Sequence, residues 1–372
     1  MPSRVDRGAT THAVALSLND ITMIGSHEGW GLAPGKVVVT HTGGRTWHDV
    51  TPRGFPATSA RLLRLGSLAA AFPTAQDGVI AQERPSAIRV WRTTDGGVHW
   101  KMATWKAPQA IQERYFLEGS LMLRLRNAEK GLLILSAPGN AGSSLDAVLA
   151  TTDGGLHWHL LQNTKKNSAT YLGPSPTTVL GDIGSLSLSP SGWGLATINT
   201  VIWGRAWVLT TTNSGLSWTS RTLPLPHGSA YDSVDEGAQA TQGLGNEWLW
   251  LALYNNHTNK QQWILEHTTD GGAQWTRIPW NQDIPQSSTL GGVFLWPQSQ
   301  GVLMFVADSQ GTEIWQWSFR DETWRRVTHL PLEKVTSLSF LPNGDGWIVG
   351  NAGIYRTTNS GRTWKALSPH IR

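Results

Sequence analysis

Near-identical copies of an eight-residue phrase ending in tryptophan constrain the fold of this chain more than any other feature. Five copies read Thr-Thr, then Asp or Asn, Gly or Ser, Gly, two variable residues and Trp, at residues 93–100, 151–158, 211–218, 268–275 and 357–364. A variant spans residues 40–47, and a degenerate copy ends at Trp324. We call each copy a box. Self-similarity at a regular spacing indicates a repeat protein.

The spacing of the boxes predicts the repeating unit. Successive box tryptophans lie 40 to 60 residues apart, a length typical of a four-stranded propeller blade. Upstream of the boxes, Gly-Trp segments such as residues 29–33, 192–196 and 346–350 follow alternating runs such as residues 185–189 and 336–340. Alternation with a period of two indicates half-buried strands. Each unit therefore predicts strands A, B and C, a box turn and strand D.

Seven such units predict an all-β fold, a seven-bladed β-propeller of four-stranded antiparallel blades with strand A along the central channel. An N-terminal segment, residues 1–20, is a candidate for closing the ring, and residues 21–372 form a single propeller. The predicted blades span residues 21–52, 58–106, 115–162, 183–223, 237–280, 289–329 and 335–370.

The composition excludes several kinds of site. The formal net charge of the 372 residues is only +4 and the basic residues are scattered, which argues against nucleic-acid binding. No apolar run is long enough for a transmembrane helix. The absence of cysteine excludes disulfides, thiol catalysis and thiolate metal sites and favours an oxidising compartment. Residues 1–20 contain no signal-peptide apolar core, so two interpretations fit: a cytoplasmic protein, or an exported one whose signal is not part of this sequence. The low-charge, cysteine-free composition favours the second, and we expect an extracytoplasmic protein (periplasmic, cell-surface or secreted) without cofactor or metal.

The polar residues of the boxes predict a structural role. Asp and Asn stabilise turns by bonding nearby backbone N–H groups, and five repetitions favour this role over catalysis or calcium binding. The residues at this position are Asp95, Asp153, Asn213, Asp270 and Asn359. The second glycine does not vary among the five copies, whereas Ser replaces the first in two, so we expect a positive φ at the second. These glycines are Gly97, Gly155, Gly215, Gly272 and Gly361.

The tryptophans are interpreted as packing residues. Each box tryptophan is expected to fold under its turn and pack against its own blade; these are Trp47, Trp100, Trp158, Trp218, Trp275, Trp324 and Trp364. A second set recurs at strand B, namely Trp30, Trp193, Trp248, Trp250 and Trp347. The sixth unit has neither Asp nor Gly in register before Trp324, which predicts a different turn with a tryptophan that is still buried.

The Ser/Thr-x-Asp-x-Gly-x-x-Trp pattern resembles the Asp-box, or BNR repeat, of sialidases, xyloglucanase-type glycosidases, sortilin-type receptors and the photosystem II assembly/stability factor family. Residues 346–364 are most similar to the last family, and the resemblance covers about residues 20–370. It implies a seven-bladed propeller, and the photosynthetic members of that family are lumenal or periplasmic scaffolds without catalysis. The motifs specify the fold strongly and the function weakly.

A carbohydrate-active propeller, either a glycoside hydrolase or a sugar-binding protein, is the alternative. A sialidase-like Arg277-Ile-Pro segment follows a box, whereas in sialidases it precedes the first box, so we interpret it as coincidence. Glycosidases generally need two facing carboxylates, and the sequence does not show which acids converge. Candidates outside the boxes are Asp182, Asp232, Asp235, Glu236, Asp283 and Asp308.

The lengths of the connections predict where a partner binds. If the boxes form the C–D turns, they share one face of the ring with the A–B turns. On the other face, B–C loops at residues 136–146, 197–205 and 253–262 and D–A connections at residues 162–183 and 223–237 are long. Function concentrates on such loops, although tolerated insertions remain an alternative.

We therefore hypothesise a non-enzymatic exported scaffold that binds a protein partner through the loop-rich face over blades three to five. Aromatic and arginine side chains commonly anchor interfaces. The candidate contacts are Trp203, Arg205, Tyr171, Tyr231, Asp232, Tyr254 and His257.

Overall fold

A computed structural model of the chain describes most of the repeating units. The described residues are 14–64, 66–107, 120–138, 144–163, 183–202, 205–224, 233–235, 247–255, 260–285 and 292–372. Within these ranges the strands form seven sheets, and no helix is long and apolar enough to span a membrane.

The strands follow the repeat along the chain. The first sheet contains β1 (Val14–Ala15), β2 (Asp20–Met23), β3 (Gly29–Ala33), β4 (Lys36–Thr40), β5 (Thr46–Asp49) and, from the far end of the chain, β30 (His370–Ile371). A short helix, α1 (Ser59–Arg64), precedes the second blade, which contains β6 (Leu68–Ala71), β7 (Gly78–Arg84), β8 (Ala87–Thr93) and β9 (Lys101–Lys106).

The middle blades have the same order. The third contains β10 (Ser120–Leu125), β11 (Gly131–Pro138), β12 (Ser144–Thr151) and β13 (His159–Asn163). The fourth contains β14 (Ile183–Leu188), β15 (Gly194–Ile202), β16 (Arg205–Thr211) and β17 (Thr219–Pro224). The fifth contains β18 (Ser233–Asp235), β19 (Glu247–Asn255), β20 (Lys260–Thr268) and β21 (Thr276–Ile278).

The last two blades complete the ring. The sixth contains β22 (Gly292–Gln298), β23 (Gly301–Asp308), β24 (Gly311–Ser318) and β25 (Thr323–Leu330). The seventh contains β26 (Val335–Phe340), β27 (Gly346–Gly350), β28 (Gly353–Thr357) and β29 (Lys365–Leu367). Neighbouring strands within each of these blades pair antiparallel in chain order. The predicted all-β, seven-bladed β-propeller is confirmed.

The described core is divided among the seven contacts between neighbouring blades. On β11, Leu133 and Leu135 pack towards blade 2, while Leu132 and Ile134 pack towards blade 4. Strand B is therefore covered on both faces, which explains why its sequence is continuously apolar rather than alternating. Each blade depends on its neighbours for burial, as in other repeat proteins.

The box tryptophans fold under their own turns, as predicted, but their packing is not confined to one blade. The indole N–H of four of them donates to the carbonyl of the second glycine of its own box; these are Trp47, Trp218, Trp275 and Trp364. All seven lie in the contact between their own blade and the preceding one: Trp47, Trp100, Trp158, Trp218, Trp275, Trp324 and Trp364. The indole N–H of Trp100 instead donates to the carbonyl of Val50 at the end of blade 1, at 2.7 Å. The phrase repeats within a blade, but its tryptophan joins two blades.

The ring closes where blade 7 meets blade 1. Ser337 Oγ donates to Asp20 Oδ1 at 2.5 Å, and the N–H of Met23 donates to Ser339 Oγ at 2.8 Å. At the rim, β30 runs parallel to β5, and β1 pairs antiparallel with β30. Both blades nevertheless take their strands A to D from one continuous stretch of chain.

Candidate functional site

Five box turns share one set of hydrogen bonds. In blade 2, Thr93 Oγ1 accepts from the N–H of Gly97 and donates to Asp95 Oδ1, both at 2.9 Å. The same Oδ1 accepts from the N–H of His99 at 2.9 Å. The equivalent bonds to Oδ1 occur at Asp153, Asn213, Asp270 and Asn359. This oxygen is therefore occupied by the turn itself at all five positions.

Both small residues of the box adopt positive φ, whereas the sequence analysis predicted a positive φ only for the second. In blade 2, φ is 71° at Gly96 and 87° at Gly97. At the first position Ser214 reaches 63° and Ser360 58°, a left-handed conformation that costs a non-glycine residue modestly. In blade 2, contact separates the two positions: a Cβ on Gly97 would lie 2.7 Å from Cβ of Val50 in the preceding blade, whereas a Cβ on Gly96 would have no atom nearer than 3.5 Å.

The sixth blade has a different turn, as predicted, but its tryptophan is more exposed than predicted. The strands β24 and β25 pair as far as Ser318 and Thr323, and Glu322 in the turn has a φ of 48°. Trp324 is only half-buried, because its indole lies near the rim and donates to the carbonyl of Pro279 in blade 5 at 2.8 Å.

Backbone bonds confirm that the A–B turns and the box turns share one face. The N–H of Gly96 donates to the carbonyl of Gln76 at 2.9 Å, and the N–H of Gly154 donates to that of Glu129 at 2.7 Å. Blades 1, 4, 6 and 7 carry the corresponding bond. We call this side the box face and the other side the hairpin face.

On the hairpin face, the predicted irregular B–C loops of blades 3 to 5 are mostly strand. Pro138 pairs with Ser144, Ile202 with Arg205, and Asn255 with Lys260. Residues 197–202 show why, since five of the six are β-branched and such residues favour strands. Strand B has 9 residues in blades 4 and 5 but 5 in blades 1 and 7. The segments predicted as loops are hairpins that extend the blades on this side.

The predicted partner contacts lie almost entirely outside the described residues. Trp203, Tyr171, Tyr231, Asp232 and His257 are outside them, and the backbone alone is described for Arg205 and Tyr254. Arg205 starts β16 opposite Ile202, and Tyr254 on β19 pairs with Gln261 and Ser233. The structure thus places these two positions at the hairpin-face ends of blades 4 and 5.

The sequence missed a buried ion pair in blade 5. Arg277 Nε and Nη2 both donate to Oε1 of the almost fully buried Glu266, at 2.8 and 2.6 Å. Burial raises the pKa of Glu266, while the bond from Arg277 opposes this. Arg277 therefore neutralises a buried carboxylate, which gives the Arg-Ile-Pro segment a structural role in its own blade.

The acids proposed as possible glycosidase residues are only partly described. Asp308 Oδ1 accepts from the N–H of Gln310 at 2.7 Å in the turn between β23 and β24. The N–H of Asp283 donates to Asn281 Oδ1 at 2.8 Å in the connection after blade 5. Asp182, Asp232 and Glu236 lie outside the described residues, as does the side chain of Asp235. Throughout the described ranges no three His, Asp or Glu side chains cluster as a metal site.

The box face has a cleft of about 470 Å³ between blades 2 and 3. Asp95 and Asp153 line it, and each uses its second carboxylate oxygen to bind the adjacent imidazole Nδ1, of His99 at 2.7 Å and of His157 at 2.6 Å. The backbone and imidazole bonds from His99 lower the pKa of Asp95 to about 2. Arg92 crosses the cleft and donates to the carbonyl of Asp153. The carboxylates of Asp95 and Asp153 and the guanidinium of Arg92 are therefore all bonded within the protein.

A second cleft, of about 330 Å³, lies between blades 4 and 5. Its lining includes Trp193, Arg221 and Asp270. Trp193 corrects the strand-B alignment: Gly194, rather than Gly192, is the first residue of β15 and pairs with the last residue of β14. Trp193 therefore precedes strand B and lies in the A–B turn, and Leu195 occupies the position that Trp30 has in blade 1.

Comparison with known proteins supports the fold. No known family profile and no curated protein sequence matches the chain. A structure of YCF48 bound to D1 peptide is similar with a TM-score of 0.51 and 18% identity, covering 94% of this chain and 96% of that chain. YCF48 from Cyanidioschyzon merolae gives a TM-score of 0.53 and 16% identity over 91% of this chain and 94% of that chain.

A structure from work on two prolyl endopeptidases is also similar, with a TM-score of 0.52 and 10% identity, covering 95% of this chain and 49% of that chain. Likeness at such low identity establishes architecture and leaves activity open. The chain is a seven-bladed propeller that resembles the photosystem II assembly factor YCF48 in structure.

Proposed function

We propose that this chain is a non-enzymatic, extracytoplasmic scaffold that binds a protein partner through the hairpin face over blades 3 to 5. The observation that carries the proposal is the asymmetry of the ring. Strand B has 8 or 9 residues in blades 3 to 6, against 7 in blade 2 and 5 in blades 1 and 7, and blades 4 and 5 have the longest. Rigid hairpins hold contact residues in fixed positions, which lowers the entropic cost of binding.

The chemistry of the cleft between blades 2 and 3 supports a role without catalysis. Asp95 and Asp153 use both carboxylate oxygens inside their own turns, so neither supplies the free carboxylate that a glycosidase needs. The similar propeller YCF48 has been solved with a D1 peptide, and we propose that the partner here also presents a peptide segment. The cysteine-free composition supports an oxidising, extracytoplasmic location.

Affinity capture from the source organism tests the proposal. The wild-type chain, a Trp203→Ala/Arg205→Ala variant and a Lys101→Ala/Met102→Ala control on the exposed outer strand of blade 2 serve as baits. We expect one protein to be retained by the wild type and the control and lost from the Trp203/Arg205 variant. Direct titration with that purified protein then measures a loss of affinity of at least about tenfold, which corresponds to about 1.4 kcal/mol. Equal retention by all three baits contradicts the proposed surface.

A further inference from the structure

We propose that the cleft between blades 4 and 5 on the box face binds a pyranose saccharide, independently of the protein partner. This cleft combines an aromatic side chain, a carboxylate oxygen without a side-chain partner among the described residues, and a cation without an ion-pair partner among them. Those three groups match the apolar C–H surface and the hydroxyl groups of a sugar ring.

The aromatic group is Trp193, which is half-buried in the A–B turn. The aligned position is occupied by Glu28 in blade 1, Lys130 in blade 3 and Asp345 in blade 7, since each lies directly before the first residue of strand B. The Trp193 Nε1–H donates to the carbonyl of Gly271 in the box of blade 5 at 3.3 Å. An indole fixed in a cleft offers an electron-rich surface to the polarised C–H bonds of a sugar.

The carboxylate is that of Asp270. Its second oxygen has no imidazole partner, because Gln274 stands where the boxes of blades 2 and 3 have a histidine. Thr268 Oγ1 and the N–H of Gln274 both bond to Oδ1 of Asp270, at 2.8 and 2.9 Å. The residue equivalent to Gln274 is a histidine in blades 2 and 3, and there it bonds the second oxygen. In blade 5, no side chain of the described residues takes Asp270 Oδ2, so this exposed oxygen can accept from a sugar hydroxyl.

The cation is Arg221 on β17, which lines the same cleft. Among the described residues no carboxylate lies within ion-pair distance of its guanidinium, in contrast to Arg277 and Arg356. The cleft also includes Thr212 and Thr219, whose hydroxyls can donate and accept. A volume of about 330 Å³ lies at the small end of the usual range for ligand sites, which suits one or two sugar rings.

The cleft between blades 2 and 3 provides the internal control. It occupies the same place in the repeat but has no tryptophan among its lining residues. Its aspartates are bonded to histidines, and Arg92 is bonded to the carbonyl of Asp153. The proposal therefore assigns saccharide binding to the second cleft and not to the first.

Saturation-transfer difference NMR with glucose, N-acetylglucosamine and galacturonate as probes tests the site on the full chain. We expect at least one probe to bind the wild type and to lose at least about tenfold in affinity in Trp193→Ala and in Gln274→His. Gln274→His adds the imidazole that blades 2 and 3 already accommodate at this position, so the variant keeps the box turn while filling Asp270 Oδ2. The control His99→Gln alters the first cleft and should leave binding unchanged.

Two results overturn the proposal. One is that none of the three probes binds the wild type at tens of millimolar. The other is that binding persists in both Trp193→Ala and Gln274→His while their thermal unfolding midpoints match the wild type. Neither result bears on the partner of the hairpin face, because all three substitutions lie on the box face.

Discussion

The box turn of blade 2 and the turn of blade 6 occupy the same place in the fold but are held by different contacts. In blade 2, the close approach of Gly97 to Val50 joins the turn to the preceding blade. In blade 6, the ring of Phe319 lies 4.7 Å from that of His267 and 5.4 Å from that of Trp248, both in blade 5. The shared requirement is thus contact with the previous blade. The box is one sequence solution to it, and an aromatic side chain is another.

The largest expected effect concerns the burial of the tryptophan after the turn, which is half-buried at Trp100 in blade 2 as at Trp324 in blade 6 and is greatest at Trp47 in blade 1. Trp47 is 0% exposed and its indole donates to the carbonyl of Gly44 at 3.0 Å, whereas Trp324 is half-buried. We expect Trp47→Ala to lower the free energy of unfolding by about 4 kcal/mol and Trp324→Ala by about half of that. Urea unfolding of both variants measures the difference. Equal losses would show that burial of the indole does not set its contribution to stability.

A somewhat smaller effect is expected from the two small residues of one box. Gly97→Val combines a φ of 87° with a Cβ that would lie 2.7 Å from Val50, and we expect a loss of about 3 kcal/mol. Gly96→Ser introduces the residue that blades 4 and 7 already carry at this position, so its cost should stay below about 1 kcal/mol. Urea unfolding midpoints of Gly97→Val and Gly96→Ser measure the two losses of stability. Comparable losses would mean that backbone strain alone selects both glycines.

The smallest expected effect is the loss of stability in acid that depends on Asp95. The turn of blade 6 has no acidic residue at the equivalent position. The pKa of Asp95 is lowered from an ordinary 3.8 to about 2 by bonds from His99. Asp95 therefore stabilises the fold above its unfolded pKa, and this stabilisation is lost as the pH falls from about 4 to about 2. Asp95→Asn should have a slightly lower urea midpoint than the wild type at neutral pH, because it lacks this ionised carboxylate, and should lose less of that midpoint on acidification. If both chains lose stability equally between these pH values, the His99 bonds do not matter for folding.

The sequence predicted the features that repeat within one blade. The alternation of strand A and the box residues Thr93, Asp95 and Gly97 place the strands and turns, because these depend on local hydrogen bonds and backbone angles. The expectation that the box face also carries the A–B turns follows from the same strand order. These local rules act in the same way in every copy.

Features that depend on contacts between blades could not be predicted in this way. The side on which Trp100 packs depends on Val50 in another blade, and the close approach that disfavours a Cβ at Gly97 involves the same residue. Trp193 was misaligned because two glycines, Gly192 and Gly194, flank it, and only the pairing of Gly194 with Leu188 resolves the register. The candidate cleft was missed for the same reason, since its residues come from two repeats.

The closure of the ring has a consequence for how the chain reaches its native state. Bonds between successive blades join residues such as Trp100 and Val50, 50 positions apart, whereas the bond from Ser337 to Asp20 spans 317 positions. Contacts over such separations form slowly, so blades can stack in sequence before the two ends meet. An unclosed stack exposes the apolar sides of blades 1 and 7, including Trp47 and Trp347. A second unclosed chain offers the complementary surfaces, so domain-swapped dimers are the natural misassembly of this protein.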